Sequence, residues 1–113
     1  MDVAISDANG VTVARLSGRL DTVNVNQVEL TFTSGIVPKG QNTLVDLSDV
    51  SFIASLGIRM LLTVARALSR SRAQFMLFGA SPMVMEILET TAISEIIPVF
   101  ETEDEAVAAL AAA

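Results

Sequence analysis

The sequence predicts an α/β fold in which a mixed sheet of about five strands carries about four packed helices. Three observations point there. An Asn9-Gly10 pair between two alternating apolar runs marks a hairpin near the start of the chain. Downstream, apolar runs of strand length alternate with segments whose apolar residues recur at helical spacing. No repeat, low-complexity tract or linker divides the 113 residues, so one domain over 1–113 is expected.

In the hairpin, Val3 and Ile5 alternate with polar neighbours, and Val11 to Leu16 forms the return strand. Apolar parity shifts there between Val11/Val13 and Ala14/Leu16, which requires either a bulge or burial on both faces. Ser17-Gly18 is expected to end the strand, and Arg19-Leu20-Asp21-Thr22 to lead into a helix. In that helix Val25, Val28, Phe32 and Ile36 make one apolar stripe, with Asp21 or Thr22 as cap. Its valines and threonines are poor helix formers, so packing must hold it. Pro38 to Asn42 is a loop.

Leu44, Val45 and Leu47 read as a buried strand, followed by a short polar loop and an abrupt helix start at Ser55. From Ser55 to Arg70, the residues Ile58, Leu61, Leu62, Ala65 and Leu68 should face inward. Arg59, Thr63, Arg66 and Arg70 form a polar stripe that reads as a solvated face. Gln74 to Phe78 is the next strand. Ser81-Pro82 then reads as an N-cap with proline at the first helical position, opening a helix to about Thr90 with Met83, Val84, Ile87 and Leu88 on its core face. Ile96 to Phe100 is a last strand, placed at a sheet edge by Pro98. Thr102 to Glu105 has capping-box spacing and opens a helix through Val107 and Leu110 before an alanine tail expected to fray. Parallel connections of this kind gather the loops after the strands at one end, and those loops carry Asp21, Asp49, Ser55 and Ser81.

Composition narrows the chemistry. There is no cysteine for a disulfide, thiolate metal site or nucleophile, and no histidine, which removes the usual neutral-pH base and the commonest metal ligand. A Ser-His-Asp triad therefore cannot form around Ser55, although Ser55-Leu56-Gly57 weakly resembles part of a nucleophile elbow. Lys39 sits in a turn and reads as a solvated lysine rather than half of a Ser-Lys dyad. Asp46 and Asp49 are too few to make a hard-cation site, and no glycine-rich phosphate loop is present. No enzymatic activity and no cofactor are expected. A net charge of −6 disfavours nucleic acid and suits a protein that meets basic patches on a partner. The start Met1-Asp2-Val3 lacks a signal-peptide pattern, and no window approaches the ~20 apolar residues of a membrane span, so a cytoplasmic protein without membrane insertion is expected.

The stretch from Val45 to Gly57, VDLSDVSFIASLG, resembles the signature of the STAS family (sulphate transporter and anti-sigma-factor antagonist). Ser17-Gly18-Arg19-Leu20-Asp21 is similar to the family's strand-end Gly-x-Leu-Asp, and Gly79 to Val84 to its Ser-Pro-x-Val turn. Ile97 to Phe100 with Glu105-Ala106 fits its closing strand and helix. Two positions depart from the pattern: Ala54 stands where an acid is frequent, and Leu56 where a second hydroxyl is frequent.

The resemblance implies a stand-alone STAS-like antagonist that binds an anti-sigma factor of the serine-kinase type and frees a sigma factor. Ser55 would be the phosphoacceptor, and a serine phosphatase acting on Ser55 would reset it. Partner contacts would come from Asp21, Thr22, Asn24, Ile53, Ala54, Leu56, Gly57 and Ser81. Ser55 and Ser81 could each be a plain helix cap instead, and Leu56 either a staple to the core or a partner contact. The alternative function, from another class, is a non-switched STAS scaffold subunit of a transporter or signalling assembly.

Overall fold

The computed structural model describes residues 1–112. Its elements run β1 (Asp2–Ala8), β2 (Val11–Leu20), α1 (Thr22–Ile36), β3 (Thr43–Ile53), α2 (Ser55–Arg70), β4 (Phe75–Phe78), α3 (Pro82–Thr90), β5 (Val99–Phe100) and α4 (Glu103–Ala112). Short 3-10 turns occupy Val37–Lys39 and Ile93–Glu95. The strands lie in the order β1-β2-β3-β4-β5, with β1 antiparallel to β2 and every later pair parallel. This is the expected mixed five-stranded sheet with four helices. Asn9 and Gly10 both take positive φ, 55° and 79°, as a two-residue turn matched to strand twist requires.

Helices cover both faces of the sheet, which settles the parity question in β2. Ala14 and Leu16 join Val45, Leu47, Phe75 and Leu77 in a main core closed by α1, α2 and α3. Leu44, Met76 and Phe78 point the other way and pack under Ala106 of α4, with Val11 alongside. Burial on both faces therefore explains the adjacent apolar residues Val13-Ala14 in β2, Leu44-Val45 in β3 and the unbroken apolar run Phe75 to Phe78 of β4. All four stripe residues of α1, Val25, Val28, Phe32 and Ile36, are buried. Phe32 alone, fully enclosed, supplies about 2–3 kcal/mol of apolar burial, so packing offsets the weak propensity of that helix.

The structure corrects several sequence-based boundaries. Ser17-Gly18 does not end β2, which continues to Leu20. The polar segment Ser48 to Ile53 is not a loop; it extends β3 alongside β2. It does so irregularly. Arg15 pairs with Asp46 but Ser17 with Asp49, and Gly18 pairs with Val50 but Arg19 with Phe52, so β3 carries one extra residue at each of two places. Each insertion reverses the side-chain alternation. Leu47, Val50 and Ile53 consequently all reach the main core despite a spacing of three, which no regular strand allows.

On α2, Ile58, Leu61 and Leu68 are buried as predicted and are joined by Met60 and Val64, while Leu62 and Ala65 pack against the same core only partly buried. Met83 is exposed, not part of a core face; Val84 and Leu88 fill that role on α3. The closing strand contracts to Val99–Phe100, with Ile96 exposed. Pro98 precedes this edge strand, and its carbonyl accepts from Leu77 N at 3.0 Å. The amide of Glu105 donates to Thr102 Oγ1 at 3.2 Å, so the N-terminal half of the capping box forms. The Glu105 carboxylate accepts from Glu101 N at 3.3 Å, one residue earlier than the motif specifies. Helix α4 runs on to Ala112, and Ala113 lies outside the described residues. Among the described residues no helix is long and apolar enough to cross a membrane.

Candidate functional site

The carboxyl ends of β2, β3 and β4 each turn directly into a helix, so three helix N-termini open at one edge of the sheet. Their caps differ. Asp21 caps α1, its carboxylate accepting from Asn24 N at 3.0 Å. Ser81 caps α3, its hydroxyl accepting from Val84 N at 3.3 Å, with Pro82 at the first position as expected. At α2 the cap position is Ala54, which has no side chain able to accept, so no side-chain bond closes that terminus.

Ser55 is thus not an N-cap. It is the first residue of α2, exposed, and its hydroxyl makes no hydrogen bond among the described residues. Ile58 N is bonded to Ala54 O at 3.1 Å, so the amides of Ser55, Leu56 and Gly57 precede the first intrahelical bond. The result is an accessible hydroxyl at the positive end of a 16-residue helix with no acid in its first turn.

The first two helix starts are tied together. Ala54 N donates to Leu20 O at 2.9 Å, joining the residue before Asp21 to the residue before Ser55. Gly57 makes the approach possible, since a Cβ there would stand 2.8 Å from Leu20 Cγ and 3.0 Å from Ile53 Cγ2. The predicted residues Asp21, Thr22, Asn24, Ala54, Ser55 and Leu56 therefore gather at one edge.

Two of the expected contact residues are corrected. Ile53 and Gly57 are buried in the core beneath this edge, so they shape it without being able to touch a docked molecule. Leu56 is half-buried against the main core, which favours the staple over the contact. Asn24 is engaged locally, its side-chain amide donating to Arg19 O at 2.7 Å. Ser81 borders a shallow depression with Ser48, Asp49, Val50, Ser51 and Met83.

Sequence reasoning missed several neighbours of the edge. Arg19 reaches Asp21 at 3.6 Å and lies over the Phe52 ring, 4.6 Å from its centroid. The register that places Phe52 beside Arg19 depends on the second β3 insertion, which no local pattern reveals. Val23 and Met83, both more than half exposed, add apolar surface beside the starts of α1 and α3.

A separate polar cluster sits farther back on the α4 face. Arg15 pairs with Asp46 at 2.7 Å and with Glu103 at 3.2 Å, while Ser48 bonds Asp46 through both its amide and its hydroxyl. Burial pushes the Asp46 carboxyl up, but the Ser48 and Arg15 hydrogen bonds outweigh it and hold it below the usual carboxylate range. The same pairing raises Arg15. Asp46 is therefore a partnered structural acid, and among the described residues no cluster of acids could hold a metal ion.

The profile of the STAS domain matches residues 2–106. BtrV of Bordetella bronchiseptica, named an anti-sigma factor antagonist, is 27% identical over 109 residues, 96% of this chain and 94% of the relative. The anti-sigma-B factor antagonist of Listeria monocytogenes is 26% identical over 90 residues, 80% of this chain and 79% of the relative. Among solved structures, an anti-sigma-factor antagonist (STAS) domain protein from Planctomyces limnophilus superposes with a TM-score of 0.87 at 27% identity, covering 98% of this chain and 99% of that one.

Proposed function

The chain belongs to the STAS domain family, and on that premise we propose that it is an anti-sigma factor antagonist switched by phosphorylation at Ser55. It binds an anti-sigma factor of the serine-kinase type, so that the sigma factor held by that partner is released. The names of its relatives support the antagonist role. The observation that carries the switch is the start of α2: an exposed serine hydroxyl at the first helical position, beside amides that no side chain caps.

Transfer of a γ-phosphoryl group from ATP to Ser55 Oγ releases ADP and the hydroxyl proton, and adds about −1.5 to −2 charges at that point. A helix N-terminus tolerates this charge, so the domain keeps its fold. A partner covering the same edge meets new bulk and repulsion, joined by the partly exposed Asp21 carboxylate. Hydrolysis by a serine phosphatase restores the hydroxyl. Binding is switched without refolding.

The test is to incubate the chain with the purified kinase and ATP, map phosphate by mass spectrometry, and compare Ser55→Ala with Ser55→Asp. The proposal expects phosphate on Ser55, full binding by Ser55→Ala and weak binding by Ser55→Asp. Absence of phosphate from Ser55, with equal binding by both variants, sinks it.

A further inference from the structure

We propose that the outer face of α2 extends the partner interface, docking an acidic surface of the anti-sigma factor; this rests on the function proposed above. Between Asp49 and Glu86 the chain has no acid and four arginines, Arg59, Arg66, Arg70 and Arg72, leaving three cations and thirteen acids for the rest of the protein. Those three cations, Arg15, Arg19 and Lys39, are all ion-paired. None of the four arginines pairs with an acid among the described residues. All four are exposed.

Their placement is not scattered. At about 100° per residue, Ser55, Arg59, Arg66 and Arg70 fall on one helix face, with Arg66 about 16 Å and Arg70 about 22 Å along the axis from Ser55. Arg72 follows in the turn just beyond, with φ of 60°. An ordinary solvated helix face mixes both signs, and this one does not. The helix dipole favours Arg70 in the last turn, but Arg59 lies near the positive end, where a cation gains nothing locally. A stripe of one sign, unpaired within a chain of net charge −6, is complementary to an acidic partner surface. Because the stripe begins at Ser55, a phosphate there also places negative charge four residues from Arg59 and offsets its attraction for that surface.

The test measures affinity for the purified anti-sigma factor across a salt series, using the full chain, Arg66→Glu/Arg70→Glu, Arg66→Gln/Arg70→Gln and Ser55→Asp. Both arginine positions are remote from Ser55 and exposed, and circular dichroism checks the fold of each variant. The proposal expects the glutamate pair to weaken binding by about tenfold or more at low salt, the glutamine pair by less, and both to show a shallower salt dependence. Wild-type affinity and salt slope in both pairs, with binding still lost in Ser55→Asp, overturn the stripe and leave the switch standing. Undiminished binding by Ser55→Asp overturns the switch instead, and the charge series still decides the stripe. Self-association of the wild-type chain, or its binding to a duplex DNA probe, abolished by the same pairs without effect on the anti-sigma factor, assigns the face to another occupant and overturns the proposal.

Discussion

Gly57 faces Leu20 across a gap that leaves no room for a methyl group, a Cβ at Gly57 standing 2.8 Å from Leu20 Cγ. Leu20 is fully buried and cannot move aside. This contact, with the Ala54–Leu20 hydrogen bond, sets how closely α2 begins beside α1. Gly57→Ala is predicted to destabilise the fold by about 1–3 kcal/mol through overpacking, despite alanine's better helix propensity. Urea unfolding against wild type checks this, and a stabilised variant would contradict it.

The Asp21 carboxylate closes the start of α1 through Asn24 N. Asp21→Ala should cost about 1 kcal/mol, whereas Asp21→Asn, which can still accept, should recover most of it. The pair of variants separates capping from charge. An equal loss in both, read from denaturant midpoints, would show that the contact between Arg19 and Asp21 matters more than the cap.

Ser55→Asp tests whether the α2 terminus accepts negative charge. Its stability should match wild type or rise by about 0.5 kcal/mol, since an acid at the first helical position meets the positive end of the dipole. A thermal melt several degrees below wild type would contradict a site that tolerates phosphate.

The Asp46 cluster predicts how stability depends on pH. Its folded pKa lies below the ordinary value of 3.8, held down by Ser48 and Arg15 against the upward push of burial. The stabilisation is therefore complete above the unfolded value and lost as pH falls through the folded one. Asp46→Asn should be less stable than wild type at pH 7, by about 1 kcal/mol given the half-exposed Arg15 partner. It should also fall less steeply than wild type below about pH 4. Parallel acid profiles of the two proteins would contradict this account.

Local signals in the sequence carried much of the architecture. The Asn9-Gly10 turn, the α1 stripe from Val25 to Ile36 and the Ser81-Pro82 cap depend on neighbours in the chain, and each stands in the structure as read. The segment Ser48 to Ile53 was illegible because its strand character comes from pairing with β2, and its two insertions conceal the period of two. Met83 was misplaced because a nine-residue helix allows a frame shift that only packing resolves. At the site, Ser55 could be singled out from its position before a helix, but whether it capped that helix depended on a one-residue boundary. The buried supports Ile53 and Gly57 resembled contact residues because proximity in sequence does not distinguish a rim from its underside.

The central claim is tested most directly by titrating the anti-sigma factor kinase with the chain before and after complete phosphorylation of Ser55, verified by mass spectrometry. The account predicts that the phosphorylated chain, still folded, binds about a hundredfold more weakly, a change of about 2.7 kcal/mol. Equal affinity of the two forms would contradict it.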